Sequence, residues 1–318
     1  ADKILVEEMV ENTRLSEQDS HATRLLAKDD LNFLAAFDKN GVSTQWTAED
    51  LAQYKEDNIP ALTIDHLSQF PNQVKNELRQ MRMSIDILPV DNGADPLTAD
   101  VLQGIILAIE QASHASVAHE TAQEFAVNGG FGFSRVLTKY TYDNPQNEHE
   151  FNAQHIEIKR VRNPFTVFGD PACDEPDGSD WEFCTIIDTM RDTFYRRQYG
   201  ESSLASGTAD WGALSTSWPA GWLTDKSVRV AEYFYSKHKN VKSVLLSDHS
   251  VVKQSLLDDN MKEYGFSGLP PGVTVVGNGR MNDTRTLHWI KSNGKEILDR
   301  RDWPGKYIPV IPIYGVES

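Results

Sequence analysis

The run from Asn58 to Tyr142 switches between helical and strand periodicity with no catalytic motif inside it, and that order constrains the fold most. After Ile59-Pro60-Ala61-Leu62-Thr63-Ile64, the apolar positions Val74, Leu78 and Met81 recur at helical spacing, with Lys75, Arg79 and Arg82 on the other side. Met83-Ser84-Ile85-Asp86-Ile87-Leu88-Pro89 then alternates like a half-buried strand stopped by proline. Asp95-Pro96-Leu97-Thr98 is a cap-like start, and residues 99–127 form the longest helical pattern of the chain. The spacing predicts one long helix whose inward stripe is Val101, Ile105, Ala108, Ile109, Ala112 and Ser116. Ile105→Ala would then cost about 2–5 kcal/mol. Asn128-Gly129-Gly130 ends the helix, because glycine takes the left-handed C′ conformation without a Cβ clash. Phe131, Phe133, Arg135, Leu137 and Lys139 next alternate with Gly132, Ser134, Val136, Thr138 and Tyr140, a strand pattern. Gly129-Gly130-Phe131-Gly132 lacks the lysine and hydroxyl of a phosphate loop and follows a helix, so it reads as a helix cap opening a strand.

Three regions frame this block: a helical part over 1–57, a core over 58–240, and an outer α/β part over 241–318. In the first, Ile4, Leu5, Met9 and Val10 make one apolar stripe and Leu25, Leu26, Leu31, Phe33, Leu34 and Phe37 a second. Asn40-Gly41 breaks that helix, and Thr47-Ala48-Glu49-Asp50 opens another with a capping residue and acids in its first turn. Short strands separated by polar turns dominate 131–188, including His155-Ile156-Glu157-Ile158-Lys159 and Cys184-Thr185-Ile186-Ile187. Residues 190–200 read as helix, Val228–Tyr235 as strand, and Ser250–Tyr264 as a helix with Val251, Leu256, Leu257 and Met261 inward. Ser292-Asn293-Gly294-Lys295 marks a hairpin with Asn-Gly in its turn. Pro309 and Pro312 cannot donate to a ladder, so the closing apolar run belongs on a sheet edge or in an extended connection. The class is α+β, one continuous body with antiparallel or mixed short-strand sheets and no internal repeat.

Candidate chemistry is sparse. His114 and His119 are five apart, ~140° around a helix, so with Glu120 they do not form the shared-face metal pair of His-Glu-x-x-His. The loop carrying Asp170, Asp174, Glu175, Asp177, Asp180 and Glu182 does not follow the alternating ligand spacing of a calcium loop, and turn formation is the reading against a loose cation site. Neither a nucleophile elbow nor a cysteine–histidine motif is present, and no catalytic, cofactor or metal residue is assigned. Cys173 and Cys184 read as free thiols, a single bridge between them being the alternative. Trp211, Trp218 and Trp222 cluster in an aperiodic stretch, 201–224, that either packs on a neighbour or folds back on its own domain. No apolar run approaches the ~20 residues that span a bilayer. No leader is legible, and the first residue is Ala1 rather than methionine, so an upstream segment is an expectation.

Net charge of −16 argues against tight general binding of nucleic acid, which needs clustered cations to displace counterions. The charge is uneven. Residues 272–318 hold seven Lys+Arg against five acids, leaving −18 on the rest, and this end is either a solvated surface or a partner patch. Weak, salt-sensitive DNA binding and no hydrolytic activity are the expectations.

Several ordered features together resemble the portal proteins of tailed bacteriophages, of the type found in short-tailed phages. They are Ile59-Pro60, Met81-Arg82-Met83-Ser84-Ile85-Asp86-Ile87, the transition into Gly129-Gly130-Phe131-Gly132-Phe133, Phe168-Gly169-Asp170-Pro171, and Gly178-Ser179-Asp180-Trp181. Val230-Ala231-Glu232-Tyr233-Phe234-Tyr235 and Tyr307-Ile308-Pro309-Val310-Ile311-Pro312-Ile313-Tyr314-Gly315 complete the series, while the first 24 residues add nothing to it. The resemblance implies a non-enzymatic subunit of a homo-oligomeric, dodecameric ring at one capsid vertex, a conduit for genome packaging and ejection. It implies capsid and scaffolding proteins, terminase and tail adaptors as partners, DNA that passes without tight binding, and no cofactor. It places the protein in the virion, and in the host cytoplasm during assembly. The family order is wing, stem helix, clip, second stem helix, tunnel loop, then crown or barrel, and this chain resembles the wing alone, stopping before the first stem helix. The rival is an α+β enzyme or small-molecule binder, which a pocket of convergent polar groups would favour.

Overall fold

The computed structural model describes residues 2–37, 43–81, 85–89, 95–140, 154–200, 227–247, 250–258, 269 and 272–315. Helices α1 (Asp2–Ala35), α2 (Ala48–Glu56), α3 (Gln69–Gln80), α4 (Pro96–Ser113) and α5 (Ala115–Gly129) precede β1 (Phe131–Tyr140) and β2 (Gln154–Arg160). A 3-10 turn (Pro164–Thr166) leads to β3 (Val167–Gly169), β4 (Phe183–Arg191), α6 (Asp192–Tyr199) and β5 (Ser227–Leu246). The described chain closes with β6 (Val251–Lys253), β7 (Val275–Ser292), β8 (Ile297–Trp303) and β9 (Val310–Tyr314). The class is mixed α+β, as the periodicity predicts.

Two antiparallel sheets carry the body. One has the order β2-β1-β9; the other runs β3-β4-β5-β7-β8, with β6 on β5. In the larger sheet successive residues feed opposite cores, because strand side chains alternate. Ile186 and Phe234 join Phe131, Phe133, Trp181 and Val310 on one side. Ile187, Tyr233 and Tyr235 join Val6 and Met9 of α1 on the other.

Helix α1 is one uninterrupted element, where two apolar stripes predicted two. Its buried line is Val6, Met9, Thr13, Ser16, Glu17, Arg24 and Ala27, while Ile4, Leu25 and Leu26 are exposed. The line is polar because it meets sheet polar groups: Thr13 Oγ1 lies 2.8 Å from Thr185 Oγ1, and Asn12 Nδ2 donates to the Tyr233 hydroxyl at 2.8 Å. Asn40-Gly41 lies outside the described residues.

The predicted long helix is divided. His114 adopts φ 51°, ψ 48°, ending α4 and starting α5. Histidine is among the side chains that tolerate this left-handed region, and the break re-phases the inward stripe. Val101 and Ile105 are 61% and 50% exposed, and the covered positions are instead Ala99, Ala115, Ala118, Ala122 and Ala126. Alanines serve on α5 because β1 and β9 pass it at backbone distance, with no room for longer side chains. Asp95 caps α4, accepting from Leu97 N at 3.1 Å, and Gly130 ends α5 at φ 85°, both as read from sequence. Thr47 likewise caps α2, accepting from Asp50 N.

Residues 85–89 form no strand, contrary to the alternation, and Met83 and Ser84 lie outside the described residues. Val251 opens β6 rather than a helix, residues 254–258 are helical, and Val251 and Leu256 are exposed. Met261 falls outside the described residues. The Asn-Gly hairpin joins β7 to β8, with Asn293 Oδ1 accepting from Lys295 N at 3.0 Å and Glu296 N at 2.9 Å. Of the closing run, Val310–Tyr314 forms β9 at a sheet edge, with Pro309 just before it.

On β2, Glu157 takes Lys139 at 2.8 Å, Lys159 at 3.2 Å and His155 at 3.2 Å, and the Lys139 contact chiefly holds its carboxyl down to about 2. A folded-state value below the unfolded one stabilises above about pH 4.5, and that gain is lost as pH falls toward 2. Glu157→Gln is expected to remove about 1 kcal/mol at neutral pH, solvent screening the half-exposed lysines, and to flatten the decline between pH 5 and 3. Denaturant melts across that window check it; an unchanged acid slope would contradict it.

Candidate functional site

The residues singled out by sequence scatter over the body. His114 stands exposed at the helix break, and His119 is half-buried one turn and more along α5. Both border an open cleft of about 480 Å³ between α3 and the α4–α5 junction, alongside Arg79 and Glu120. Arg79 Nε pairs with Glu120 Oε2 at 3.4 Å and Lys75 with Glu124 at 3.2 Å, so these charges dock α3 on α5.

The acidic loop is built of turns. Asp170 accepts from Ala172 N at 2.9 Å and Glu182 N at 3.0 Å. Asp180 accepts from Asp174 N at 2.5 Å and Glu175 N at 3.1 Å, and Asp177 from Ser179 N at 2.9 Å. Carboxylate oxygens so committed to backbone amides fix a loop conformation, which agrees with the turn-forming reading. Among the described residues no group of three His, Cys, Asp or Glu is placed to hold a metal. Cys173 and Cys184 are free thiols, and burial pushes Cys184 well above the usual thiol range, which keeps it un-ionised. Gly130 N donates to Ala126 O, and Gly130 O accepts from Gly315 N, so the Gly129–Gly132 run is a helix cap tied to β9. The tryptophans at 211, 218 and 222 lie outside the described residues.

Sequence reasoning missed two features. His238 on β5 sits between Asp283 (Nδ1, 2.5 Å) and Glu182 (Nε2, 3.0 Å), and those two carboxylates raise its pKa, Asp283 the more strongly. This clasp joins the acidic loop to the β5–β7 ladder. Its partners are 56 and 45 residues away, beyond any motif.

The other is an uncovered apolar surface. Helix α4 contacts β2 and α5, yet Leu97 is 72% exposed and Leu102 46%, in line with Val101 and Ile105. Leu62, Ile64 and Phe70, in and before α3, are likewise 71%, 66% and 61% exposed. A signal was present, since α4 carries only Asp100 and Glu110 as charges among its 18 residues and so is apolar nearly all round.

The described residues thus combine a mixed fold, a largely exposed apolar helix and an acidic loop whose carboxylates hold turns. Residues 12–318 match the phage P22-like portal protein family, and the chain belongs to it. It is 25% identical over 272 residues to the portal protein of Acyrthosiphon pisum secondary endosymbiont phage 1, covering 81% of this chain and 35% of that protein. The chain thus spans about a third of the length of this curated relative. Among the described residues no helix is long and apolar enough to cross a membrane.

Proposed function

We propose that this chain is the wing portion of a phage portal subunit, packing side by side with copies of itself in a ring at a capsid vertex. The ring, a dodecamer in this reading, is the conduit for genome packaging and ejection. Residues 1–57 form its helical N-terminal region, 58–240 the wing core, and 241–318 the outer α/β part. Capsid and scaffolding proteins, terminase and tail adaptors are the partners of the whole protein, and DNA passes without tight binding. The subunit has no catalytic role of its own. It works in the virion, after assembly in the host cytoplasm.

The family match over residues 12–318 carries this reading. The exposed side chains of α4 and of the segment around α3 support it, because lateral contacts need apolar surface that one chain leaves open. A net charge of −16 supports passage of DNA without tight binding to this portion of the subunit. Electron microscopy of the full-length subunit should show closed rings, each lateral contact burying more than ~1,000 Å². A full-length protein that stays monomeric at high concentration would sink the proposal.

The exposure of α4 reverses the expectation for Ile105. Ile105→Ala should change the stability of the chain itself by less than ~0.5 kcal/mol, as exposed sites do, while weakening self-association of the full-length protein. Denaturant melts beside sedimentation velocity check both halves.

A further inference from the structure

The end of β2, the 3-10 turn and the outer half of β4 surround a half-open cleft of about 360 Å³. Three arginines line it, Arg135, Arg160 and Arg162, together with Asn163 and Asp188. Such a grouping is out of character for a chain with a net charge of −16.

Asn163 supplies the telling observation. It is 6% exposed, and its Oδ1 is committed to Phe165 N at 3.1 Å, capping the 3-10 turn. That bond fixes the orientation of the amide and leaves Nδ2 as a buried donor with no acceptor. Native proteins rarely leave such a group unmatched, because burial strips its water and returns nothing. Arg135 adds a second donor without a hydrogen bond, its buried Nη1 held only by a 3.6 Å ion pair to Glu232. Arg160 and Arg162 are exposed and take part in no ion pair among the described residues.

The charges around the cleft are Arg135, Arg160, Arg162 and Lys291 against Asp188 and Glu232, a balance of +2. The open donors there outnumber the one carboxylate that lines the cleft, Asp188. A cation would be repelled, and a neutral ligand would leave the guanidinium forks unmatched, whereas an oxyanion offers planar acceptor edges that fit them. We propose that this cleft is an oxyanion site taking one phosphate or carboxylate group, with Asn163 Nδ2 and Arg135 Nη1 donating from within and Arg160 and Arg162 from its mouth. The occupant is either free phosphate or an acidic side chain of a second copy. A polyanion fits less well, because the negative charge of the whole chain opposes its approach over a Debye length. The chemistry lies within one chain and does not depend on the ring.

The test is titration of the intact protein with inorganic phosphate at constant ionic strength, followed by ³¹P line width and calorimetry, with sodium acetate in parallel. Saturable binding at one site per chain is expected. Arg160→Gln combined with Arg162→Gln, both exposed and safe for folding, should weaken it tenfold or more, as should Asn163→Asp, which keeps the cap but turns the donor into an acceptor. If phosphate also dissolves self-association and the arginine variant no longer associates, the natural occupant is a neighbouring carboxylate. If phosphate binds and association is untouched, it is free phosphate. No saturable binding of either anion, or binding indifferent to all three substitutions, would overturn the proposal. So would a DNA duplex that binds more tightly than phosphate through the same arginines, since that outcome describes a polyanion track.

Discussion

Arg24→Ala is expected to cost about 3–5 kcal/mol, the range for stripping one partner from a buried charged network. Arg24 is 5% exposed on α1, where its guanidinium donates to Phe165 O at 2.9 Å and Val167 O at 2.5 Å. Nε donates to Ser20 Oγ at 2.7 Å, and the plane sits 4.4 Å from the Phe168 ring centroid. Burial lowers its pKa to about 10, opposed in part by the Glu17 carboxylate on the same helix face. The cation therefore persists at neutral pH and is held by these groups. Removing it orphans two carbonyls at the β3 entry and takes away a cation that attracts buried Glu17. Arg24→Met together with Glu17→Gln should lose markedly less than Arg24→Ala, because the uncompensated charge is gone. Urea melts of the three proteins decide it, and equal losses in both variants would show that the charge pairing is irrelevant.

Gly132→Ala should cost roughly 3 kcal/mol, at the upper end of what overpacking a core brings. A Cβ built on Gly132 overlaps the carbonyl of Ala122 in α5. A backbone carbonyl inside a helix cannot swing aside as a side chain can, so the strand itself must lift. Lifting β1 disturbs its ladders to both β2 and β9. Gly104, with nothing near its Cβ position, is the control on an exposed helix face. Gly104→Ala should be neutral or stabilising, since alanine is the better helix former. A melt in which both substitutions behave alike would contradict the close-approach account.

Much of this was legible because local chemistry left marks in the chain. The Asp95 and Thr47 caps, the Gly130 stop, the Asn293-Gly294 hairpin and the edge position of β9 each follow from a residue type with one dominant backbone preference. What stayed hidden depends on which neighbour covers a face. Apolar spacing in α4 says that Val101 and Ile105 share a side, not that their own chain covers it. The working face of α5 is alanine, whose hydropathy barely differs from that of the residues around it. In α1 the buried line includes Thr13 and Arg24, polar residues matched to sheet atoms more than a hundred positions away. The arginine cleft was unreadable for the same reason, since β1, the end of β2 and β4 meet only once the sheets have formed.

The pairing of β9 with β1 gives this body a direction in which it is strong. Five residue pairs, from Phe131–Tyr314 to Arg135–Val310, form the ladder, and Gly315 N adds a bond to Gly130 O at 2.8 Å. Ladder hydrogen bonds lie across the strands, so tension applied to residue 315 along the β9 axis shears them all at once and is shared. The same tension applied sideways reaches the Gly315 and Tyr314 end first and peels the strand one bond at a time. The seam is stiff lengthwise and weak across, and a small change in the angle of a load decides whether it grips or opens.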